Sequence, residues 1–255
     1  AQSLHFLGMA QHSAGRLRES ASNFEQAVEI FEHTGDFWEA NTVRYQLGLV
    51  YYRLGNSDLA IDYSKRVYRS GIELGDDQAC GISLHGWVIA AQGDVPAEII
   101  QKELDRERAD AQVTTQVLLA EAVRLFHANA LTEALSRVDE AMLIVRKNML
   151  RSAYVALIYS WRVTVLRAIL QQQSASGELD STSLRRARSA IRAARFMAWA
   201  YPVERPHTLR EAGEVALLQG RADQAKRFFQ SSLKEAQQLE MPDEVERTKE
   251  RLNEI

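Results

Sequence analysis

Six histidines, His5, His12, His33, His85, His127 and His207, are the first candidates for chemistry in this 255-residue chain, because a neutral imidazole is the commonest ligand for transition metals. Only His5 and His12 stand close together. Seven residues apart, they share one face of a helix with Met9, which would offer two nitrogens and a thioether. Two ligand nitrogens from one helix, with no carboxylate or third histidine beside them, make an incomplete site. No metal is expected there, and a lining role is. The single cysteine, Cys80, excludes an internal disulfide and a cysteine-based zinc site. With nothing basic adjoining it in sequence, it reads as a small buried residue.

His207, Arg210, Glu211 and Glu214 follow one another at i, i+3, i+4 and i+7, the spacing of a solvated helix face laced with ion pairs. Arg185, Arg188, Arg192 and Arg195 are spaced three, four and three, so all four project from one helix face, with Ala187, Ile191 and Ala194 opposite. A row of guanidinium groups can bind phosphates or a carboxylate-rich helix, with Arg162 and Arg167 expected close by; a solvated convex face is the plainer expectation. The stripe belongs to a wider asymmetry. Residues 141–210 hold twelve Arg or Lys and three Asp or Glu, a local charge of 12 − 3 = +9, and the net charge of −3 leaves −12 for the rest. Nucleic acid is not expected as a partner, because the remaining surface is acidic. HExxH, GxSxG, a phosphate loop ending in Lys-Ser/Thr, and CxxC are all absent. No enzyme activity and no cofactor are expected.

What must position these residues is helical. Apolar residues make up 46% and charged residues 25%, with 4 prolines and 13 glycines, the profile of a folded chain with a core to bury and few long loops. No uncharged apolar stretch reaches the roughly 18 residues that span a bilayer, and the N-terminal residues lack a basic start followed by an apolar run. A soluble, cytoplasmic protein with no membrane contact is the expectation. The chain also opens without methionine inside a helix-like pattern, as a segment of something longer would.

The segment at residues 3–36 recurs at 43–76. Leu7-Gly8 becomes Leu47-Gly48, Gly15 becomes Gly55, and Gly35-Asp36 becomes Gly75-Asp76, a period of 40. Each unit runs an apolar helical pattern to a glycine, a polar turn, then a second apolar run. That is a helical hairpin. Gly8 and Gly48 let two backbones approach, and Gly15 and Gly55 supply the left-handed residue that closes the first helix. A third unit keeps Gly86 and Gly93, with Asp94 expected as N-cap and Pro96 in the first turn. A fourth keeps Ala122, Ala134, Val138 and Ala141 and puts Asn129 where the turn glycine stood. In the fifth, helices are expected near 153–171 and 183–200, separated by a mobile polar insertion at 171–182. The sixth returns to form with Gly213, Gly220, Ala225 and Phe229, and a charged helix follows Pro242.

Through Leu7, Gly8, Phe24 and Ala27, and again Leu47, Gly48, Tyr51 and Ala60, the chain resembles the tetratricopeptide repeat family, at spacings of 36 to 40 against the usual 34 or so. The resemblance implies an all-α, right-handed α-solenoid of about six hairpins in one domain over 1–255, with units at 1–36, 41–76, 79–112, 115–150, 153–200 and 206–240 and a C-terminal capping helix at 243–255. The longer period is similar to arrays in bacterial signalling proteins, linked there to a switch ATPase, a kinase or a nucleotide cyclase. In the family, first-helix positions two, five, nine and twelve line a concave groove. Carried over, they are Gln2, His5, Met9 and His12; Thr42, Tyr45, Leu49 and Tyr52; Cys80, Ser83, Trp87 and Ala90; and Gln116, Leu119, Val123 and Phe126. This aromatic and aliphatic lining has no lysine and suits an apolar helix or extended peptide; alternatively the aromatics pack inside a tightly curved superhelix. The expected role is a partner-binding scaffold or sensor within a signalling or regulatory protein. A homodimer joining the +9 segment of one copy to the acidic remainder of another, and an array sensing a small effector, are the alternatives.

Overall fold

The computed structural model describes residues 1–255, and every regular element in it is a helix. The hairpins are α1 (Gln2–Ser13) with α2 (Leu17–Thr34), α3 (Phe37–Arg53) with α4 (Ser57–Leu74), α5 (Asp77–Ala90) with α6 (Ala97–Leu104), α7 (Ala111–His127) with α8 (Leu131–Lys147), α9 (Ala153–Ala175) with α10 (Ser181–Ala200), and α11 (Arg205–Leu218) with α12 (Ala222–Gln238). A last helix, α13 (Pro242–Asn253), packs on α12 and α11, and a 3-10 turn at Pro202–Glu204 precedes α11. Neighbouring helices pack in chain order, and α3, α5, α7 and α9 also pack on one another as an inner layer. This is an all-α solenoid of helical hairpins.

Local chemistry sets the joints. Gly15 and Gly55 close α1 and α3 at φ +80° and +78°, and Asn129 takes the same role after α7 at φ +60°, a region where asparagine is tolerated. Between the first three hairpins a glycine ends one helix and an aspartate starts the next. Gly35 and Gly75 adopt φ +75° and +68°, while Asp36 and Asp76 accept hydrogen bonds from the backbone N–H of Glu39 and Ala79. The link thus shrinks to two residues.

The third and fifth hairpins depart from expectation. Asp94 does not cap α6, which begins only after Pro96 and runs for 8 residues. Capping from Asp94 would make Val95 the first helical residue, and the residue before a proline is pushed out of the helical region. The short helix is pinned by Glu103, buried and paired with both Arg106 and Arg108. The expected insertion at 171–182 is mostly helix. α9 continues through the glutamines to Ala175, and Asp180 caps α10 through the N–H groups of Thr182 and Ser183. Glutamine is a good helix former, so nothing stops α9 before the Ser176-Gly177 pair. α9 is long and apolar enough to cross a membrane by composition, but 67% of its apolar window is buried in the array.

The array curls until its ends meet. Leu239 and Met241, between α12 and α13, join a core cluster with Leu17, Phe24, Leu47 and Val50 of the first two hairpins and Val203 of the 3-10 turn. Arg53 at the end of α3 pairs with Glu204, and Arg18 of α2 pairs with Glu240. The superhelix is closed by both apolar and ionic contacts.

Candidate functional site

Closure decides what the inner face can do. Of the nine anchor residues implied for a groove, His5, His12, Tyr45, Leu49, Trp87 and Leu119 are buried, while Met9, Tyr52 and Phe126 are half-buried. The implied groove is therefore filled along most of its length. Its filling is partly polar. His5 shares a hydrogen bond with Gln46 at 2.9 Å, the Tyr45 hydroxyl accepts from the Gln116 amide at 2.8 Å and shares a bond with His85 at 3.2 Å, and His12 stacks on Tyr154. Burial holds His5, His12 and His85 below the ordinary histidine range, His12 at about 4 and His85 at about 3, with the Arg53 charge adding to the effect at the latter two. His5 is thus an interior hydrogen-bonding group and His12 an interior packing one. No group of three or more His, Cys, Asp or Glu is placed to hold a metal ion. Cys80 is buried, and burial pushes its thiol up to about 11.

One part of the inner face stays open. The C-terminal turns of α3, α5 and α7 meet the middle of α9 and the N-terminal halves of α11 and α13 around a pocket of about 330 Å³, the lower end of the size range of ligand sites. Tyr52, Phe126 and Trp161 supply its aromatic wall, with the Phe126 and Trp161 rings edge to face at 5.7 Å. Arg167, Arg210 and Arg247 bring three guanidinium groups against two carboxylates, Glu211 and Glu244, leaving 3 − 2 = +1. Exposed Gln92 and His127 stand at its mouth with Arg247.

The ionic groups form one chain. Glu211 accepts from Arg167 at 3.0 Å and Arg210 at 2.7 Å, and Arg210 also donates to Glu244 at 3.0 Å. Arg247 stands 3.8 Å from Glu244. Burial alone would push both carboxyl groups up, but Arg167 and Arg210 hold Glu211, and Arg210 holds Glu244, at about 2. His207 bonds Thr164 at 2.8 Å, and burial followed by the Arg210 charge lowers it from the ordinary histidine range, favouring the neutral ring. The expectation that His207, Arg210, Glu211 and Glu214 lie on a solvated face is corrected: Glu211 is 1% exposed at the pocket wall, His207 is buried, and Arg210 and Glu214 are half-buried and paired with Glu244 and Arg251 of α13. Spacing alone cannot tell an exposed ion-pair ladder from a buried one. The partners of Arg210 and Glu211 sit 34 and 44 residues away.

Tyr52 and Phe126 are the two implied groove residues that reach this pocket, while Trp161, Thr164, Arg167, Glu244 and Arg247 were not foreseen. A signal for some of them was present. Counting two, five, nine and twelve from Ala153 gives Tyr154, Leu157, Trp161 and Thr164, and from Pro206 gives His207 and Arg210, so the same register extended to the last two hairpins reaches the pocket. The contribution of α13 has no such signal.

On the outside, Arg185, Arg188, Arg192 and Arg195 are all exposed on α10. None meets a carboxylate: Arg188 donates to the Gln219 amide and Arg195 lies over the Phe228 ring. Arg162 and Arg167 do not join them, being turned to Asp139 and Glu211.

A model of the tetratricopeptide repeat matches residues 1–73, which are the first two hairpins. Over that segment the chain is similar to the tetratricopeptide repeat, a scaffold fold that generally mediates protein–protein contacts. No curated protein matches the chain.

Proposed function

We propose that this chain is a protein-interaction module that seats one anchoring group of a partner in the pocket between α3, α7, α9, α11 and α13. The observation that carries the reading is the meeting of Tyr52, Phe126 and Trp161 with three arginines and only two carboxylates in that pocket. Aromatic walls favour a flat or apolar body, and the excess guanidinium favours an anion on it. The anchor is therefore an aromatic or apolar residue carrying or adjoining a carboxylate, and the rest of the partner lies outside, since the inner face beyond Tyr52 is closed. A role in signalling or regulation rests on the resemblance in repeat length alone.

Arg247→Gln and Phe126→Ala, both at half-exposed or exposed positions, test this with short labelled peptides that place Phe beside Glu or beside Gln. Binding that prefers Glu about 10-fold or more, a preference erased by Arg247→Gln, supports the reading. Equal binding of the two peptides, or binding indifferent to both substitutions, removes it. The pocket's small volume favours one further reading, a small aromatic carboxylate as effector. It predicts a raised melting temperature with benzoate- or indole acetate-like compounds and none with the peptides.

A further inference from the structure

Outside the array, on the face of α9 opposite Trp161, a second concavity of about 400 Å³ lies between α8, the α8–α9 link and α10. Seven of the nine residues around it are apolar, among them Met149, Leu150, Tyr159 and Phe196, and the two others are Arg146 and Arg151. Phe196 is 72% exposed and Met149 80%, while Trp199, one turn on from Phe196, is 75% exposed. Isolated exposed apolar residues need no explanation, but large ones gathered at the rim of a cleft mark a contact surface.

Two further observations bear on the occupant. Met149 adopts φ +51° at the end of α8, the backbone state that Gly35 and Gly75 hold at the ends of α2 and α4. A methionine there carries a backbone cost that glycine avoids, yet its side chain packs against little of its own chain. The second observation is charge. On α10, Arg192 precedes Phe196 by four residues and Arg195 precedes Trp199 by four, so the arginine stripe runs on into the two aromatics along one face. Arg146, Arg151, Arg185 and Arg192 make no ion pair within the chain, although 21 others exist.

We propose that the α8–α10 face docks an acidic amphipathic helix of a partner protein, whose apolar side chains enter the cleft at Met149 and Phe196 and whose carboxylates meet the α10 arginines. A helix lays apolar residues at i, i+3, i+4 and i+7 into such a cleft, and its flanking carboxylates reach guanidinium forks on either side. The cleft is apolar and flanked by arginines, which suits inserted side chains and bidentate carboxylates.

The probe is a labelled 18-residue helical peptide with Leu and Trp at those spacings and Glu on its flanks, compared with its Lys-for-Glu counterpart by fluorescence anisotropy. The Glu peptide binds at least about 10-fold more tightly than the Lys peptide, and binding weakens as salt rises. Met149→Gly, which relieves the backbone, keeps or raises the melting temperature while weakening the peptide about 10-fold, and Arg192→Gln with Arg195→Gln does the same to the Glu peptide only. Arg247→Gln leaves this binding unchanged, so failure here and failure of the interior pocket are told apart. The proposal is overturned if the two peptides bind alike or the Glu peptide does not bind by about 1 mM. It is equally overturned if Met149→Gly turns a sedimenting dimer into a monomer, which makes a second copy the occupant, or if phosphatidylserine vesicles and not the peptide bind in a manner sensitive to Phe196→Ser.

Discussion

The guanidinium of Arg53, at the end of α3, meets the carboxylate of Glu204, just before α11, in an ion pair whose partners are 7% and 1% exposed and 151 residues apart in the chain. Glu204 also accepts from the Ser160 hydroxyl at 2.9 Å. The pair therefore ties the second hairpin to α9 and to the start of the sixth hairpin, across the interior of the superhelix. Removing one partner leaves the other charged, buried and unmatched.

Arg53→Met is expected to lower unfolding free energy by about 3–5 kcal/mol, the cost typical of breaking a buried pair from one side. Replacing both members with apolar residues, Arg53→Met with Glu204→Leu, recovers most of that loss, because no charge is then stranded. Urea unfolding of the two variants decides the matter. A loss under about 1 kcal/mol for the single variant would mean that water reaches the pair and that the ends are not sealed.

The buried histidines make stability depend on pH in a defined direction. His12 and His85, held at about 4 and about 3, would titrate near 6.5 when unfolded. Above 6.5 they are neutral in both states and contribute no slope. Below it the unfolded chain takes up protons that the folded one refuses, so stability falls with pH by about 1.4 kcal/mol per unit for each group. Glu211 and Glu244, at about 2, add to the loss only below their ordinary value of 4.5. The window from 6.5 to 4.5 thus belongs to the histidines. Unfolding midpoints that stay flat between pH 6.5 and 5 would show that His12 and His85 are hydrated.

Much of the fold was legible because hairpins are local: the spacing marked Gly15 and Gly55 as the ends of first helices, and the 40-residue period aligned two units residue for residue. The closure was not legible, since it rests on residues such as Arg53 and Glu204, or Leu17 and Met241, that lie in different units and follow no repeat. The same holds for the site. The family register pointed to Tyr52 and Phe126, which line the interior pocket, but whether the face they share is a groove or a core depends on superhelical curvature, which accumulates over all six hairpins. His207 and Arg210 were visible as a cluster and misjudged, because the helix that covers them, α13, carries no unit of its own.

Cys80 sits in α5 with its thiol pushed up to about 11, first by burial and then by the Glu103 charge. A thiol reacts as the thiolate, so at pH 8 native protein is expected to react with a thiol reagent such as Ellman's at least about 100-fold more slowly than urea-unfolded protein, following from both the raised titration and the lack of access. Adding Arg53→Met should speed the native reaction only as far as it raises global opening. A native rate close to the unfolded one would mean that α4 and α5 separate readily.

Gly8, Gly48 and Gly213 occupy the same position in three hairpins, yet alanine should not act on them alike. The residue sixteen positions on decides the outcome. At Gly8 it is Phe24, fully buried, and an added Cβ would lie 2.6 Å from two ring carbons; at Gly213 it is Phe229, also at 2.6 Å. At Gly48 it is Ser64, and the nearest atoms to an added Cβ are Tyr63 Cβ at 3.4 Å and the Ala60 carbonyl oxygen at 3.5 Å. Alanine in a helix interior gains about 1 kcal/mol over glycine, whereas forcing a methyl into a packed ring costs about 1–3 kcal/mol. Gly48→Ala is therefore expected to be neutral or stabilising by up to about 1 kcal/mol, while Gly8→Ala and Gly213→Ala each destabilise by about 1–2 kcal/mol after the helix gain is subtracted. Thermal unfolding of the three single variants reads the difference directly. If Gly48→Ala proves as costly as Gly8→Ala, the close approach of paired helices is a property of the backbone in every hairpin, and the phenylalanine does not set it.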